Sequence, residues 1–278
     1  MHIPTLLTIA GTDPSSGAGI QVDLQMFARH GFHGTSVITA ILWQDTRRVH
    51  GWHIPPVEVF TSQLHVILDD IPPAAIKLGV LPTAATVTSL ADTLDARASS
   101  NAPLLVVHDP VLASGDGSYS LVESGTLESM RERLFPHVTC LTPNLPEAAA
   151  LLDTPLQTLS QRPLPDIAAE IAHHTGVPMI LLKAGHTHTT HDTIQDAIAA
   201  PDMPPALLSP LPRQPLHTHG VRGTGCQLAS ALTALLASGI PFPQAAEEAR
   251  ADLASLLATR AFSPGKGRPV IGHFSRPK

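Results

Sequence analysis

The chain has 278 residues, 43% hydrophobic side chains and a formal net charge of −6, which suffices for one large α/β domain or two small ones. No Lys/Arg cluster occurs, so a nucleic-acid partner is not expected, because such partners need a basic patch. No stretch reaches ~18 consecutive apolar residues, the start MHIPTLLTIAG lacks the features of a signal peptide, and Cys140 and Cys226 are the only cysteines, so we expect a cytoplasmic chain without a membrane span or disulfide framework.

Strand-like and helix-like segments alternate from the first residues onward. Thr5–Ala10 predicts a strand that runs into the Gly/Ser-rich loop GTDPSSGAG. Ile20–His30 predicts a helix, with Ile20, Leu24 and Phe27 on one face and Gly31 as its stop. Thr35–Leu42 is β-rich, Val57–Leu68 is helical, Ala75–Val80 is a strand and Ala84–Ala98 a helix. Leu104–His108 predicts a buried strand ending at Asp109, followed by a helix over Leu121–Leu134. Val138–Leu141 is a strand that leads through Thr142-Pro143-Asn144 into a helix over Glu147–Leu152. A helix over Asp166–His174 and a strand over Met179–Lys183 follow, then a short strand over Thr193–Ile198. Pro201–Gln214 is proline-rich and reads as a surface excursion, before two final helices near Thr224–Ser238 and Pro243–Thr259. This rhythm predicts one α/β domain over residues 1–278, with a mostly parallel sheet and helices on both faces. In such sheets ligands bind beyond the carboxyl ends of the strands. Gly11 to Asp13, Gln44, Asp109, Asn144 and Lys183 are placed there.

The segment Gly223-Thr224-Gly225-Cys226 opens an apolar helix. Its glycines allow a tight turn and a close approach, and the helix start offers unpaired N–H groups and positive partial charge to an anion. Cys226 sits in the first turn, where a thiol pKa is expected to fall. Asp109 and Glu147 are carboxylates suited to magnesium and its waters, and Lys183 is a point charge within reach of a phosphate. Gln44 carries an amide that both donates and accepts. Together these residues describe a nucleotide-dependent phosphoryl-transfer site, and without GxxxxGK[ST] it is not a P-loop kinase. Each residue also has a plainer reading: a glycine turn before a core helix, acids at helix starts, a snorkelling lysine, a surface amide. Cys140 reads as a buried small hydrophobe. The histidines of HTHTTH (His186, His188, His191) and His217 and His219 read as loop residues rather than metal ligands.

The segments TIAGTDPSSGAGIQVDL, SVITAILWQDT, TPNLPEAAALL, RGTGCQLASAL and GKGRPVIGHF, in that order over nearly the whole chain, resemble the hydroxymethylpyrimidine/phosphomethylpyrimidine kinases of thiamine biosynthesis. That family has a ribokinase-like fold and is related to the pyridoxal kinases. The resemblance implies that Cys226 takes the proton of the substrate hydroxyl. Gly223, Thr224 and Gly225 would form the anion hole. Asn144, Lys183 and Arg222 would serve ATP, and Asp109 and Glu147 would serve Mg2+. Gly11, Ala18, Asp23, Gln44 and Val80 would line the pyrimidine pocket. It also implies a homodimer. A pyridoxal/pyridoxine kinase, or a non-catalytic pyrimidine sensor on the same fold, is the alternative. Three positions depart from the family pattern. Arg222 replaces a histidine before GTGC, Val80 replaces a methionine, and the loop 112–117 lacks a lysine and carries Asp116. Any second phosphorylation, from monophosphate to diphosphate, is therefore expected to lean on Arg222.

Overall fold

A computed structural model describes residues 3–98, 104–115, 117, 119–185, 193–212 and 220–273. β1 (Thr5–Gly11) leads through the Gly/Ser loop into α1 (Gly19–Arg29), whose buried stripe is Ile20, Val22, Asp23, Met26 and Phe27. β2 (His33–Gln44) and β3 (Val49–His53) form a hairpin, followed by α2 (Val57–Asp70), β4 (Ala75–Leu78), α3 (Ala84–Ala98) and β5 (Leu105–His108). The helix expected over Leu121–Leu134 is shorter. Gly125 adopts a left-handed conformation (φ 80°) just before α4 (Thr126–Ser129), and the chain continues as a π-turn over Met130–Leu134. β6 (Cys140–Leu141), α5 (Leu145–Leu151), α6 (Leu156–Leu159), α7 (Leu164–Thr175) and β7 (Met179–Leu182) complete the central repeat.

The single strand expected over Thr193–Ile198 is two: β8 (Thr193–Ile194) and β9 (Ala197–Ala200), which belong to different sheets. The proline-rich stretch is not a free excursion, because it supplies β10 (Met203–Leu207) and β11 (Leu211–Pro212). β10 is an edge strand, and its register shifts between Met203 and Ala206. Pro204 and Pro205 fall inside that irregularity, where no ladder N–H is required. α8 (Thr224–Ala237), α9 (Phe242–Arg260), β12 (Ala261–Phe262) and β13 (Val270–Ile271) close the chain.

The nine-stranded sheet has the order β10-β9-β7-β6-β5-β4-β1-β2-β3. The strands from β2 through β1, β4, β5 and β6 to β7 are parallel, and β3 and β9 pair antiparallel at either side. One face packs Leu7, Ile9, Ile76, Leu78 and Leu141 against Phe60, Leu90 and Ile171 of α2, α3 and α7. The other packs Val107, Cys140 and Leu181 against Leu228, Leu232 and Ala249 of α8 and α9. This is the mostly parallel sheet with helices on both faces that the alternation of strands and helices predicts, as the family resemblance also implies. Among the described residues no helix is long and apolar enough to cross a membrane.

Candidate active site

Because β1, β2, β4, β5, β6 and β7 run parallel, their carboxyl ends share one edge of the sheet, and the start of α8 lies over it. The N-cap of α8 is Gly223, with φ 69°, and no side chain caps the helix. That leaves the first-turn N–H groups free of side-chain acceptors at the positive end of the helix. Only glycine fits at position 223. Its φ lies in the left-handed region, and a Cβ would run into the carbonyl of Gly17. Gly225 is the point of closest approach, since a Cβ there would stand 3.3 Å from Lys183 Nζ and 3.4 Å from Asp109 Oδ2.

Asp109 follows β5 and Lys183 follows β7, and Lys183 Nζ donates to Asp109 Oδ1 at 2.6 Å. Thr142 Oγ1 donates to the same oxygen at 3.3 Å. Glu147 Oε2 lies 4.0 Å from Lys183 Nζ. Asn144 and Glu147 form a reciprocal capping box at the start of α5: Asn144 N donates to Glu147 Oε2 at 2.7 Å, and Glu147 N to Asn144 Oδ1 at 2.8 Å. Burial pushes Asp109 toward the neutral form, but Lys183 and Lys77 outweigh it and hold the carboxyl below its ordinary value. Glu147 is pushed up to about 7 by burial and by Asp109, against the pull of Lys183. Burial disfavours the Lys183 ammonium, yet Asp109 and Glu147 keep its pKa above the usual lysine range. Asp109, Asn144, Glu147, Lys183 and Gly225 thus form one cluster.

Cys226 is half-buried beside it, and its Sγ accepts from Gly19 N–H. The low thiol pKa expected at a helix start is not what its surroundings produce. Burial, with Asp23 and Asp109 nearby, pushes the thiol up to about 11, and Lys77 only partly offsets this.

The remaining candidates lie on the side of β1 and β2. Gly11 packs against Leu42 and Val80, and Val80 joins Ala40, Leu42 and Leu121 in an apolar cluster that Trp52 and Tyr119 border. Ala18 is the N-cap of α1, and it lies under Gly223. Gln44, at the end of β2, faces a cleft of about 400 Å3 with Pro14, Ser15, Thr46 and Lys266. A larger groove lies between α2 and α3, around His65 and Asp69, away from these residues.

Two placements differ from the sequence reading. Asp23 does not line a pocket. Its side chain is fully buried and accepts from Thr8 Oγ1 at 2.6 Å, Lys77 Nζ at 2.9 Å and Ser230 Oγ at 2.7 Å. Arg222 does not join the Asp109–Lys183 cluster, because its Nη2 donates to Gln44 Oε1 at 2.8 Å and to Asp13 Oδ2 at 3.3 Å. Arg222 thus faces the end of β2 and the loop after β1. Asp116, His186, His188, His191, His217 and His219 lie outside the described residues. Among the described residues no three His, Cys, Asp or Glu gather as a metal site. Lys77 was missed by sequence reasoning. Lys77 had a signal, a lone charge in the apolar strand AIKL, since lysine is almost never fully buried unless paired. Asp13 was placed at the strand-end edge with Gly11, but its ion pair with Arg222 was not foreseen.

The phosphomethylpyrimidine kinase family model matches residues 13–271. The chain is 35% identical over 269 residues to the hydroxymethylpyrimidine/phosphomethylpyrimidine kinase of Salmonella typhimurium, covering 96% of each. It is 35% identical over 274 residues to the thiamine biosynthesis bifunctional protein ThiED of Geobacter sulfurreducens; there it covers 97% of this chain but spans only 52% of that longer relative. Among solved structures, the pyridoxal kinase from Staphylococcus aureus in complex with pyridoxal superposes with a TM-score of 0.81 at 27% identity, over 98% of this chain and 94% of the other. With family match, full-length relatives and strand-end cluster in agreement, the chain belongs to the phosphomethylpyrimidine kinase family.

Proposed function

We propose that the chain is an ATP-dependent kinase that phosphorylates the hydroxymethyl group of 4-amino-5-hydroxymethyl-2-methylpyrimidine, and then its monophosphate, in thiamine biosynthesis. The observation that carries the reading is the Asp109–Lys183–Glu147 cluster under the uncapped start of α8, with Cys226 in its first turn. The hydroxyl oxygen attacks the terminal phosphorus of ATP, ADP departs with the bridging oxygen, and the hydroxyl proton passes to Cys226 Sγ in its thiolate form, the minor species below about pH 11. The first-turn N–H groups of Thr224, Gly225 and Cys226 meet the charge on the moving phosphoryl group, and Lys183 meets the phosphate oxygens. Asp109 and Glu147 supply hard oxygen donors that suit Mg2+, which takes one or two carboxylates and completes its shell from phosphates and water. Magnesium, when bound, neutralises phosphate charge, and these two carboxylates would hold it or its waters.

The apolar cluster of Val80, Leu42 and Ala40 beside Gly11 suits a flat ring. The likeness to a pyridoxal kinase favours a second reading, pyridoxal, which is also a flat heteroaromatic ring with a hydroxymethyl arm. We further read the chain as one kinase domain that works as a homodimer in a reducing compartment, where its two free cysteines stay unpaired. Incubation with ATP, magnesium and each of hydroxymethylpyrimidine, its monophosphate and pyridoxal, followed by product mass, tests the assignment. Mono- and diphosphate from the pyrimidine support it. Turnover of pyridoxal alone moves it to the second reading, and ligand binding without ADP release leaves a sensor.

A further inference from the structure

Arg222 precedes the glycine turn of α8 and is held from several sides. Its backbone N–H donates to Pro269 O at 2.9 Å. Its side chain is 11% exposed and lies beside Asp13, which is fully buried. Asp13 is fixed in turn, since Oδ1 accepts from Ser15 N at 2.9 Å and Ser15 Oγ at 2.7 Å, and Oδ2 from Gly17 N at 3.2 Å. The guanidinium Nη2 that meets Asp13 also donates to Gln44 Oε1 at 2.8 Å. A guanidinium has donors and no acceptor, whereas an amide has one end of each kind. The end of Gln44 turned to Arg222 is therefore its oxygen. Rotating the amide would set N–H against N–H in a part-buried site.

The geometry points to Arg222 as a positioning residue for ring recognition: it locks the Gln44 carboxamide with Oε1 toward the guanidinium, leaves Nε2 as the group offered to substrate, and so selects a ring edge that carries an acceptor nitrogen. The inference rests on the reading that Gln44 faces the ring. It gives the arginine a task unrelated to the transferred phosphate. The selectivity is chemical: a ring nitrogen accepts from Nε2, and a C–H at the same place leaves that donor unpaired.

The test pairs hydroxymethylpyrimidine with an analogue in which the ring nitrogen beside the amino group is replaced by C–H. Binding of both is measured by calorimetry for the wild type, Arg222→Lys and Gln44→Glu, alongside melting temperatures and steady-state kinetics. The wild type should prefer the parent ring by about tenfold or more, the scale of one buried hydrogen bond. Arg222→Lys keeps a positive charge for Asp13 but loses the planar fork. It should bind the parent about three- to tenfold more weakly, with the preference between the rings falling to within about twofold. Its KM should rise while kcat stays within about twofold. Gln44→Glu still pairs with Arg222 but has no N–H for the ring, so the parent should bind no better than the analogue, with the melting temperature retained.

An unchanged ring preference in Arg222→Lys overturns the inference, as does a lowered kcat with unchanged KM, which would place Arg222 on the phosphoryl group. If Arg222→Lys fails to fold, Gln44→Glu decides alone, and parent binding at the wild-type level overturns it. Wild-type binding of the parent without turnover overturns the kinase reading and leaves the ring preferences to judge Arg222. A wild type that binds neither ring overturns both.

Discussion

Cys226 shows how far a residue's surroundings can reverse a local rule. A cysteine in the first turn of a helix gains from unpaired N–H groups, and that favours the thiolate. Here burial and two nearby carboxylates work the other way, and the thiol is held up to about 11. A raised pKa means that the proton stays on below that value, so the free site carries a neutral thiol at pH 7. Alkylation by iodoacetamide should therefore be slow at pH 7 and keep accelerating through pH 10. A rate that levels off by pH 8 would show the thiolate of the local rule instead. Turnover should likewise rise with pH, and Cys226→Ala should lower kcat by about two to four orders of magnitude, the range of a lost general base. Near-normal kcat in that variant would remove Cys226 from the chemistry. Gln44 belongs to the same scale. Gln44→Ala should weaken pyrimidine binding about five- to a hundredfold, because it leaves ring polar atoms unpaired, and should leave ATP affinity unchanged. Equal weakening of both ligands would make Gln44 a structural residue.

At the scale of elements, Asn144 and Glu147 have two occupations. They close a capping box on α5, a helix of 7 residues that begins Leu145-Pro146. A helix so short is marginal without its cap and its packing. The same cap aims Glu147 toward Lys183. Asn144→Ala should cost about 1 kcal/mol in urea unfolding, the usual loss for an N-cap. Because Glu147 loses its anchor, KM for ATP should rise more than KM for the pyrimidine. A stability loss with both KM values unchanged would reduce Asn144 to a cap. The helices α1, α2, α3, α7, α8 and α9 were legible because each carries a periodic apolar stripe long enough to read. The breaks were not. Gly125 in its left-handed conformation shortens α4. The prolines of β10 read as a loop, since local chemistry does not say that a segment will dock on a sheet edge.

Across the whole molecule, the buried pair Asp23–Lys77 ties α1 to β4, with Thr8 of β1 and Ser230 of α8 completing the bonds of the carboxylate. Both side chains are fully buried, beneath the site where α1 and α8 meet. Asp23 outweighs the cost of burial and keeps the Lys77 pKa above the usual lysine range. Removing one partner strands a charge in the core, whereas removing both can be close to neutral. Lys77→Met should thus destabilise by about 3–5 kcal/mol in denaturant unfolding. The double variant Asp23→Leu/Lys77→Met should recover a large part of that loss. Additive losses would mean that the two charges do not depend on each other.

From the residues alone, the alternation of strands and helices predicted a mostly parallel sheet, and with it the edge where Gly11, Gln44, Asp109, Asn144 and Lys183 gather. The glycine turn that opens α8 was legible for the same reason: backbone freedom, helix polarity and apolar periodicity are local properties. Contacts across the sheet are not local. That Asp109 pairs with Lys183 rather than standing alone, that Asp23 is sealed beneath the site by Lys77, and that Arg222 turns to Gln44 depends on strand order and on how α1 and α8 cross it. Burial, which raises the pKa of Cys226 and Glu147, and the lysines that outweigh it at Asp109 come together only once those elements have packed.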